Sequence, residues 1–286
     1  MRAPAQQAPG FLRGEDLTQA QPEWFERQVM RCLRLAGWED LRHVGRSWDG
    51  GADLAGLYGG ERWLVQVKAR RGAASAEAVR DLERAAAVYG VNQGVAVARE
   101  RWGAAAIQAA EKYGESLQLV NGAQLVEAID GYPIFPGGTR SLFNFQEEAV
   151  AELEVSRQSG RREALIAMAT GLGKTVVAAE FVARIATSPG SRVLVLAHSE
   201  DILKQSEKSF WEHLPKTTST HQLNGRERPH RTDGITFATF QTMANVIKDR
   251  PEDWSFETVI VDECHHAAAP SYAAVIEELN LPCSSD

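Results

Sequence analysis

The run Met168-Ala-Thr-Gly-Leu-Gly-Lys-Thr175 combines the residue types that a phosphate-binding loop requires. Gly171 and Gly173 let successive backbone N–H groups turn toward one concave point, and the N-terminus of a following helix adds its dipole, so a polyphosphate is held by backbone geometry. Lys174 is placed to reach the β- and γ-phosphates, and the Thr175 hydroxyl to take a position on Mg²⁺. Met168 stands where the plain GxxxxGK[ST] pattern has its first glycine, a departure from that pattern. The chemistry expected is nucleotide binding.

Two further constellations carry chemistry. Val259-Ile-Val-Asp-Glu-Cys-His-His266 places an acidic pair directly after a β-branched run. Asp262 there suits Mg²⁺, and Glu263 suits a base that orients or deprotonates an attacking water. Earlier in the chain, Asp53 follows the tight-turn signal Gly50-Gly51, and Gln66 and Lys68 alternate with Val65 and Val67. Alternation puts Gln66 and Lys68 on one face of a strand. A carboxylate, a neutral oxygen ligand and a lysine at one point suit metal-assisted phosphodiester hydrolysis. Asp53 would bind Mg²⁺, Lys68 would orient water or stabilise developing charge, and Glu26 on the first helix could add a carboxylate through the metal's water shell. By spacing alone, a charged strand face accounts for the same pattern. Asp49, in Asp-Gly-Gly, is the weaker rival to Asp53 and reads as a turn residue.

The elements that must position these residues fall on either side of Asp130-Gly-Tyr-Pro-Ile-Phe-Pro-Gly-Gly-Thr139, a Pro/Gly-rich boundary signal. Residues 1–20 read as a flexible tail, 21–130 as one domain, 131–140 as a linker and 141–286 as a second domain. In the first domain, helical spacing at Phe25, Val29, Cys32 and Leu33 marks a helix over Trp24–Leu35. Extended runs at Leu41–Val44, Asp53–Tyr58, Trp63–Val67, Gly94–Ala98 and Leu117–Val120 alternate with three further helices, giving a mixed sheet with flanking helices. In the second domain, strands at Ala164–Met168, Arg192–Ala197, Ile235–Ala238 and Thr258–Val261 alternate with helices. That order predicts a parallel, doubly wound α/β sheet.

A hydrophobic content of 44% with 24% charged residues describes a globular protein, and no apolar run is long enough to span a bilayer. The N-terminus lacks the apolar core of a signal peptide, and three cysteines without a CxxC pair suggest neither a disulfide framework nor a zinc site. The cytoplasm is the expected compartment. Residues 1–140 carry 17 basic and 17 acidic residues, and 141–286 carry 14 and 21, so neither half shows a broad basic footprint. Nucleic-acid binding must then rest on local patches such as Lys68-Ala-Arg-Arg71 and Arg226-Glu-Arg-Pro-His-Arg231, which by themselves also read as solvated surface.

Residues 141–286 resemble the first RecA-like domain of a superfamily 2 helicase of the DExH type found in restriction-enzyme motors. The likeness rests on the phosphate loop, the Asp262-Glu-Cys-His265 box, Phe143-Asn-Phe-Gln-Glu-Glu-Ala149, Val193-Leu-Val-Leu-Ala-His-Ser199 and Thr236-Phe-Ala-Thr-Phe-Gln-Thr242. It implies ATP and Mg²⁺ as cofactors and adenine reading by Gln146. It also implies nucleic-acid backbone contacts at the two strand-end segments and coupling through His265; His266 takes no role. Residues 22–130 resemble the Mrr-type branch of the PD-(D/E)xK restriction-endonuclease fold, through Phe25-Glu26, Gly51-Ala-Asp53, Gln66-Val-Lys68 and Leu117-Gln-Leu-Val-Asn-Gly122. That branch has glutamine at the Gln66 position.

Together these resemblances imply a restriction- or defence-type protein acting on double-stranded DNA, with a nuclease domain ahead of an ATP-driven motor. A homodimer or other restriction-system subunits are the protein partners to expect, and no membrane. The segment after His266 carries neither a Ser-Ala-Thr-like segment nor a second RecA-like domain with arginine fingers. An incomplete motor is therefore expected, binding nucleotide but hydrolysing it feebly. Two alternatives stand beside this reading. One is a repair or remodelling helicase whose nuclease-like domain only binds DNA; the other is a remnant that binds ATP and DNA without turnover.

Overall fold

The computed structural model describes residues 10–44, 51–137, 141–186, 188, 190–247, 255–262 and 270–279. Two compact units divide it: Leu12–Pro133, and Ile134–Asp286 together with the segment that ends at Phe11. Among the described residues no helix is long and apolar enough to cross a membrane.

The first unit opens with α1 (Asp16–Gln19) and α2 (Pro22–Leu35). Pro22 begins α2, where its missing N–H costs nothing, and Trp24, Phe25, Val29, Cys32 and Leu33 are buried. β1 (Glu39–His43), β2 (Leu54–Tyr58) and β3 (Glu61–Lys68) follow as an antiparallel meander. Then come the short β4 (Ala73–Ala74), α3 (Glu77–Tyr89), β5 (Gln93–Ala98), the short β6 (Arg101–Trp102), α4 (Ala104–Glu111), β7 (Leu117–Asn121) and α5 (Gly122–Gly131). The sheet order is β1-β2-β3-β5-β7, with β3, β5 and β7 parallel. β3 and β5 are central and buried on both faces, which explains their Val-rich runs. Leu64 and Ala96 face a core made with Val79, Leu82 and Ala85 of α3 and Ala110 of α4. Gln66 and Lys68 share the Leu64 face by alternation.

The flexible tail expected over residues 1–20 is corrected from Phe11 onward. Phe11 and Leu12 are buried, and α1 is clamped by the buried Arg99. The guanidinium of Arg99 donates to the carbonyls of Asp16, Leu17 and Ala20, and so takes up the end of a helix too short to stand alone.

The second unit contains α6 (Asn144–Gln158), α7 (Lys174–Ile185), β8 (Arg192–Ala197), α8 (Glu200–Trp211), β9 (Thr220–Leu223), β10 (Gly234–Thr239), α9 (Phe240–Val246), β11 (Thr258–Val261) and α10 (Pro270–Glu278). Its sheet is parallel, in the order β11-β8-β10-β9. Helices cover both faces. Val193, Val195 and Ala197 pack with α7 and α8, while Leu194 and Leu196 pack with α9 and α10. This is the doubly wound pattern, with successive side chains of β8 serving opposite cores.

The strand expected at Ala164–Met168 is not formed, since these residues join no ladder. Ile166 and Met168 pack onto the cluster of Val150, Val177 and Phe181, while Leu165 is 76% exposed. Packing on one side supplies the alternation of a strand. A ladder also needs a hydrogen-bonding neighbour, and this segment has none among the described strands. β9, by contrast, is a strand that the sequence pattern does not reveal.

Candidate functional site

In the first unit Asp53 sits one residue before β2, opposite the end of β3. Its N–H donates to Val65 O at 2.8 Å, and its Oδ2 accepts from Val67 N at 2.6 Å and from Gln66 Nε2. The antiparallel register of β2 and β3 thereby clasps Asp53 against the Gln66–Val67 peptide. Gln66 is buried, and its amide points its N–H at Asp53, which leaves Oε1 unused by any donor of the described chain. Lys68 Nζ donates to Asp81 Oδ2 at 2.8 Å, and Arg84 holds the other Asp81 oxygen.

Electrostatics show how close these groups lie. Burial raises the Asp53 carboxyl above its ordinary range. The Val67 N–H and Lys68 pull it down, and Asp81 pushes it up again. Glu26, exposed at the surface of α2, is crowded enough by protein that its carboxyl rises to about 7. Loss of water around it is the largest cause. The negative charges of Asp53 and Glu23 add to the rise, and Arg27 opposes it. The structure therefore brings Glu26, Asp53, Gln66 and Lys68 together; Asp49 lies outside the described residues. Among the described residues no three His, Cys, Asp or Glu side chains already form a metal cluster.

Asp81 is the residue that sequence reasoning missed. Its signal was present, because α3 buries Ala78, Val79, Leu82 and Ala85, and Asp81 is a charge on that same stripe. Gly51 is tied to it as well. Its φ is +106°, and a Cβ there would lie 2.7 Å from Asp81 Cβ, so only glycine lets the turn pass α3 this closely.

In the second unit the loop from Met168 ends on α7. Gly171 and Gly173 have φ of +86° and +85°, the left-handed region open to glycine, and Gly173 is the N-cap of α7. Lys174 and Thr175 follow as its first, half-buried residues. A Cβ on Gly171 would meet nothing within 4 Å, so that side of the loop is open. A Cβ on Gly173 would lie 2.5 Å from Gln146 Nε2. Gln146 is buried and ties two places together: Oε1 accepts from Phe143 N at 3.0 Å, and Nε2 donates to Leu172 O at 2.9 Å. The residue expected to read adenine is thus also a brace on the loop.

Asp262 directly follows β11, and its N–H donates to Leu196 O at 2.9 Å, which extends the β11–β8 ladder by one residue. Ile260, two residues earlier, packs in the cluster that contains Val177 of α7. The carboxyl end of β11 and the helix after the loop therefore share one core. Glu263, His265 and His266 lie outside the described residues.

The family model described as "Type III restriction enzyme, res subunit" matches residues 139–283, and the model described as "Restriction endonuclease" matches residues 17–129. A Schizosaccharomyces pombe protein named for a mitochondrial ATP-dependent helicase is 28% identical over 150 residues, covering 52% of this chain and 25% of its own length. A Methanocaldococcus jannaschii protein named for an ATP-dependent RNA helicase is 29% identical over 132 residues, covering 43% of this chain and 17% of its own. The chain thus spans a quarter or less of these relatives. Among solved structures, the ATP-dependent Type ISP restriction-modification enzyme LlaBIII bound to DNA aligns over 88% of this chain and 20% of its own, with 16% identity and a TM-score of 0.41. On the match that spans residues 139–283, the chain belongs to the Type III restriction enzyme res subunit family, and it carries a restriction endonuclease domain ahead of that region.

Proposed function

We propose that this chain belongs to a restriction or defence protein that cuts double-stranded DNA with an Mg²⁺-dependent endonuclease site and binds ATP·Mg²⁺ in a superfamily 2 helicase-type domain. The observation that carries the reading is the clasp of Asp53 on Gln66 and Val67 N, with Lys68 and Glu26 alongside. Asp53 and the unused Gln66 oxygen are the donors that would hold Mg²⁺, and Glu26 would reach it through water. Hard oxygen donors of this kind suit that ion. Bound there, Mg²⁺ supplies positive charge to the scissile phosphate. Lys68, poised on Asp81, orients the attacking water or meets developing negative charge. Burial raises the Asp53 carboxyl above its ordinary range, and the Val67 N–H and Lys68, which favour the carboxylate, oppose that rise.

In the second domain the left-handed glycines and the start of α7 form a cradle for the phosphates, with Lys174 and Thr175 at its base. Gln146 has one N–H and one lone pair beyond its bonds to Leu172 and Phe143, enough to read an adenine edge. Asp262 would hold Mg²⁺, and Glu263 would orient the attacking water.

The test is nicking of supercoiled plasmid by the purified chain with Mg²⁺ or Mn²⁺. The expected result is nicking that disappears in Asp53→Ala and in Lys68→Ala and persists in Lys174→Ala. Absence of cleavage with any divalent ion would overturn the nuclease reading. Binding of a fluorescent ATP analogue, lost in Lys174→Ala, tests the nucleotide site separately.

A further inference from the structure

α6 carries Gln146, yet little apolar surface fixes where the helix lies. Of its 15 residues only Gln146 and Val150 are buried. Val150 packs on Val177 and Phe181 of α7, with Ala149 and Leu153 at the margin. So small an apolar contact can hold two helices together without setting how far one slides along the other, because apolar attraction is not directional.

Direction comes from Arg184, one residue before the end of α7. Its half-buried guanidinium serves three carboxylates at once. Nη2 donates to the two oxygens of Glu147 at 2.9 and 2.8 Å, Nη1 to Glu154 Oε2 at 3.2 Å, and Nε to Glu180 Oε1 at 2.9 Å. Glu147 and Glu154 both belong to α6, two turns apart, so Arg184 grips about 10 Å of that helix. Glu180 lies one turn back on α7 and sets the plane of the fork. The buried His213, just beyond α8, holds Glu180 in turn, with Nδ1 at 3.1 Å from Glu180 Oε2. Every nitrogen of a planar, rigid donor is therefore used, which specifies geometry as well as adding charge. A single exposed ion pair would contribute little, but a guanidinium shared within a network is the case that contributes more.

The consequence falls on Gln146. It is the residue before Glu147, so any displacement of Glu147 along or around α6 moves Gln146 with it. Gln146 meets the phosphate loop through Leu172 O and lies against Gly173. It thus sits between α6, whose register Arg184 sets, and the loop that opens α7. Without Arg184, Glu147, Glu154 and Glu180 would face one another across the α6–α7 seam without the cation they share, and like charges at such range repel. Arg184 itself lies about 15 Å along α7 from Lys174, well away from the phosphate cradle.

We propose that Arg184 is a positioning residue for nucleotide selection: it fixes the register of α6 on α7 and so holds the Gln146 amide where an adenine edge meets it. The inference rests on the reading of Gln146 and the phosphate loop given above. Arg184 governs which base is accepted, while the phosphates remain bound by the loop, Lys174 and Thr175.

The test is equilibrium binding of fluorescent ATP and GTP analogues by the full chain, expressed as the ratio of the two affinities and measured beside urea unfolding. Wild type should prefer ATP, and Gln146→Ala should abolish that preference. In Arg184→Met the ratio should fall toward one, by roughly tenfold, the scale of one hydrogen bond, while GTP binding stays near wild type. Arg184→Lys keeps the charge without the fork and should recover only part of the ratio. Glu147→Gln/Glu154→Gln leaves Arg184 on Glu180 and should lower the ratio too, which decides the matter if Arg184→Met does not fold. Glu148→Gln, at an exposed neighbour on α6, should match wild type. An unchanged ratio in folded Arg184→Met, or an equal loss for both nucleotides, overturns this inference alone. A wild type that binds ATP and GTP equally overturns it together with adenine reading by Gln146. A wild type that binds neither overturns the nucleotide-site reading as well.

Discussion

Lys68 Nζ lies 2.8 Å from Asp81 Oδ2, so the lysine at the end of the central strand is held by a helix thirteen residues further on rather than by Asp53. Arg84 takes the other Asp81 oxygen, which leaves Asp81 spanned by two cations and Lys68 anchored at a fixed height above β3. Asp81 touches no atom that reacts in the proposed cleavage. It positions Lys68. Asp81→Asn should therefore keep the domain folded and lower Mg²⁺-dependent nicking on the order of tenfold or more, the scale of cost for a displaced catalytic group. A nicking rate equal to wild type, with an unchanged unfolding midpoint, would show that Lys68 needs no such anchor.

The phosphate loop offers a sharper perturbation. Gly173 has φ +85° and faces Gln146 Nε2, so Gly173→Ala incurs both left-handed backbone strain and a 2.5 Å contact. Strain of this kind costs of order 1–3 kcal/mol. Binding of a fluorescent ATP analogue should be lost, while Gly171→Ala, which meets nothing within 4 Å, should lose less. Equal loss in both variants would mean that φ alone governs the loop and that the Gln146 brace is irrelevant.

What could be read in advance depended on whether side chains announced their own environment. The Val-rich β3, β5 and β8 did, because strands buried on both faces read as apolar runs. β9, Thr220-His-Gln-Leu223, did not. It is fully buried, yet three of its four residues are polar. Thr220 and Gln222 are bonded from α8, where Glu207 accepts from Thr220 Oγ1 at 2.8 Å and Gln222 Nε2 at 2.7 Å and Trp211 Nε1 donates to Thr220 Oγ1 at 3.0 Å, while His221 Nε2 lies 3.1 Å from Asp233 O. No local pattern reveals partners that lie so far back in the chain. The run 164–168 erred the other way, since its alternation was genuine but a ladder requires a neighbour that alternation does not guarantee. At the nuclease-like site, spacing and resemblance single out Asp53, Gln66 and Lys68, and the structure sets Gln66 Nε2 and Val67 N against the Asp53 carboxylate. Asp81 was visible only as a charge on an apolar stripe, which reads as noise until the helix is docked.

The pH dependence of stability should carry the signature of Glu26. Its carboxyl rises to about 7 in the folded chain from an ordinary 4.5, so the folded state binds a proton more tightly than the unfolded state does. Below about 4.5 both states are protonated and no penalty applies. The penalty grows as pH rises from 4.5 to 7, and it is complete above that window. Glu26→Gln should melt with wild type near pH 4.5 and about 1–3 °C higher at pH 8, a modest gain because the side chain is exposed. Saturating Mg²⁺ should close the gap at pH 8 by favouring the ionised wild-type carboxyl. A gap that is constant across pH would mean that Glu26 is not destabilised by Asp53 and burial.

Arg99 should prove the costliest single truncation in the first unit. It is 2% exposed, and its guanidinium donates to Leu17 O at 2.8 Å, Asp16 O at 3.2 Å and Ala69 O at 3.4 Å, as well as to Ala20 O. These acceptors join the end of α1 to the chain just beyond β3, and Gly122 packs against the Arg99 carbonyl where a Cβ would lie 2.3 Å away. Burial pulls the guanidinium pKa below its ordinary value, with Arg71 adding to that shift, yet arginine stays charged at any accessible pH. Arg99→Met preserves bulk and removes every donor, so several buried carbonyls lose their partners at once. Each such loss costs about 1–3 kcal/mol, and the sum should reach on the order of 3–5 kcal/mol in urea unfolding. Hydrogen exchange should localise the damage, with the amides of Thr18, Gln19 and Ala20 losing protection before those of β3 and β5. A loss below about 1 kcal/mol, with Asp16–Gln19 still protected, would mean that α1 is held by Leu12 and its apolar neighbours rather than by Arg99.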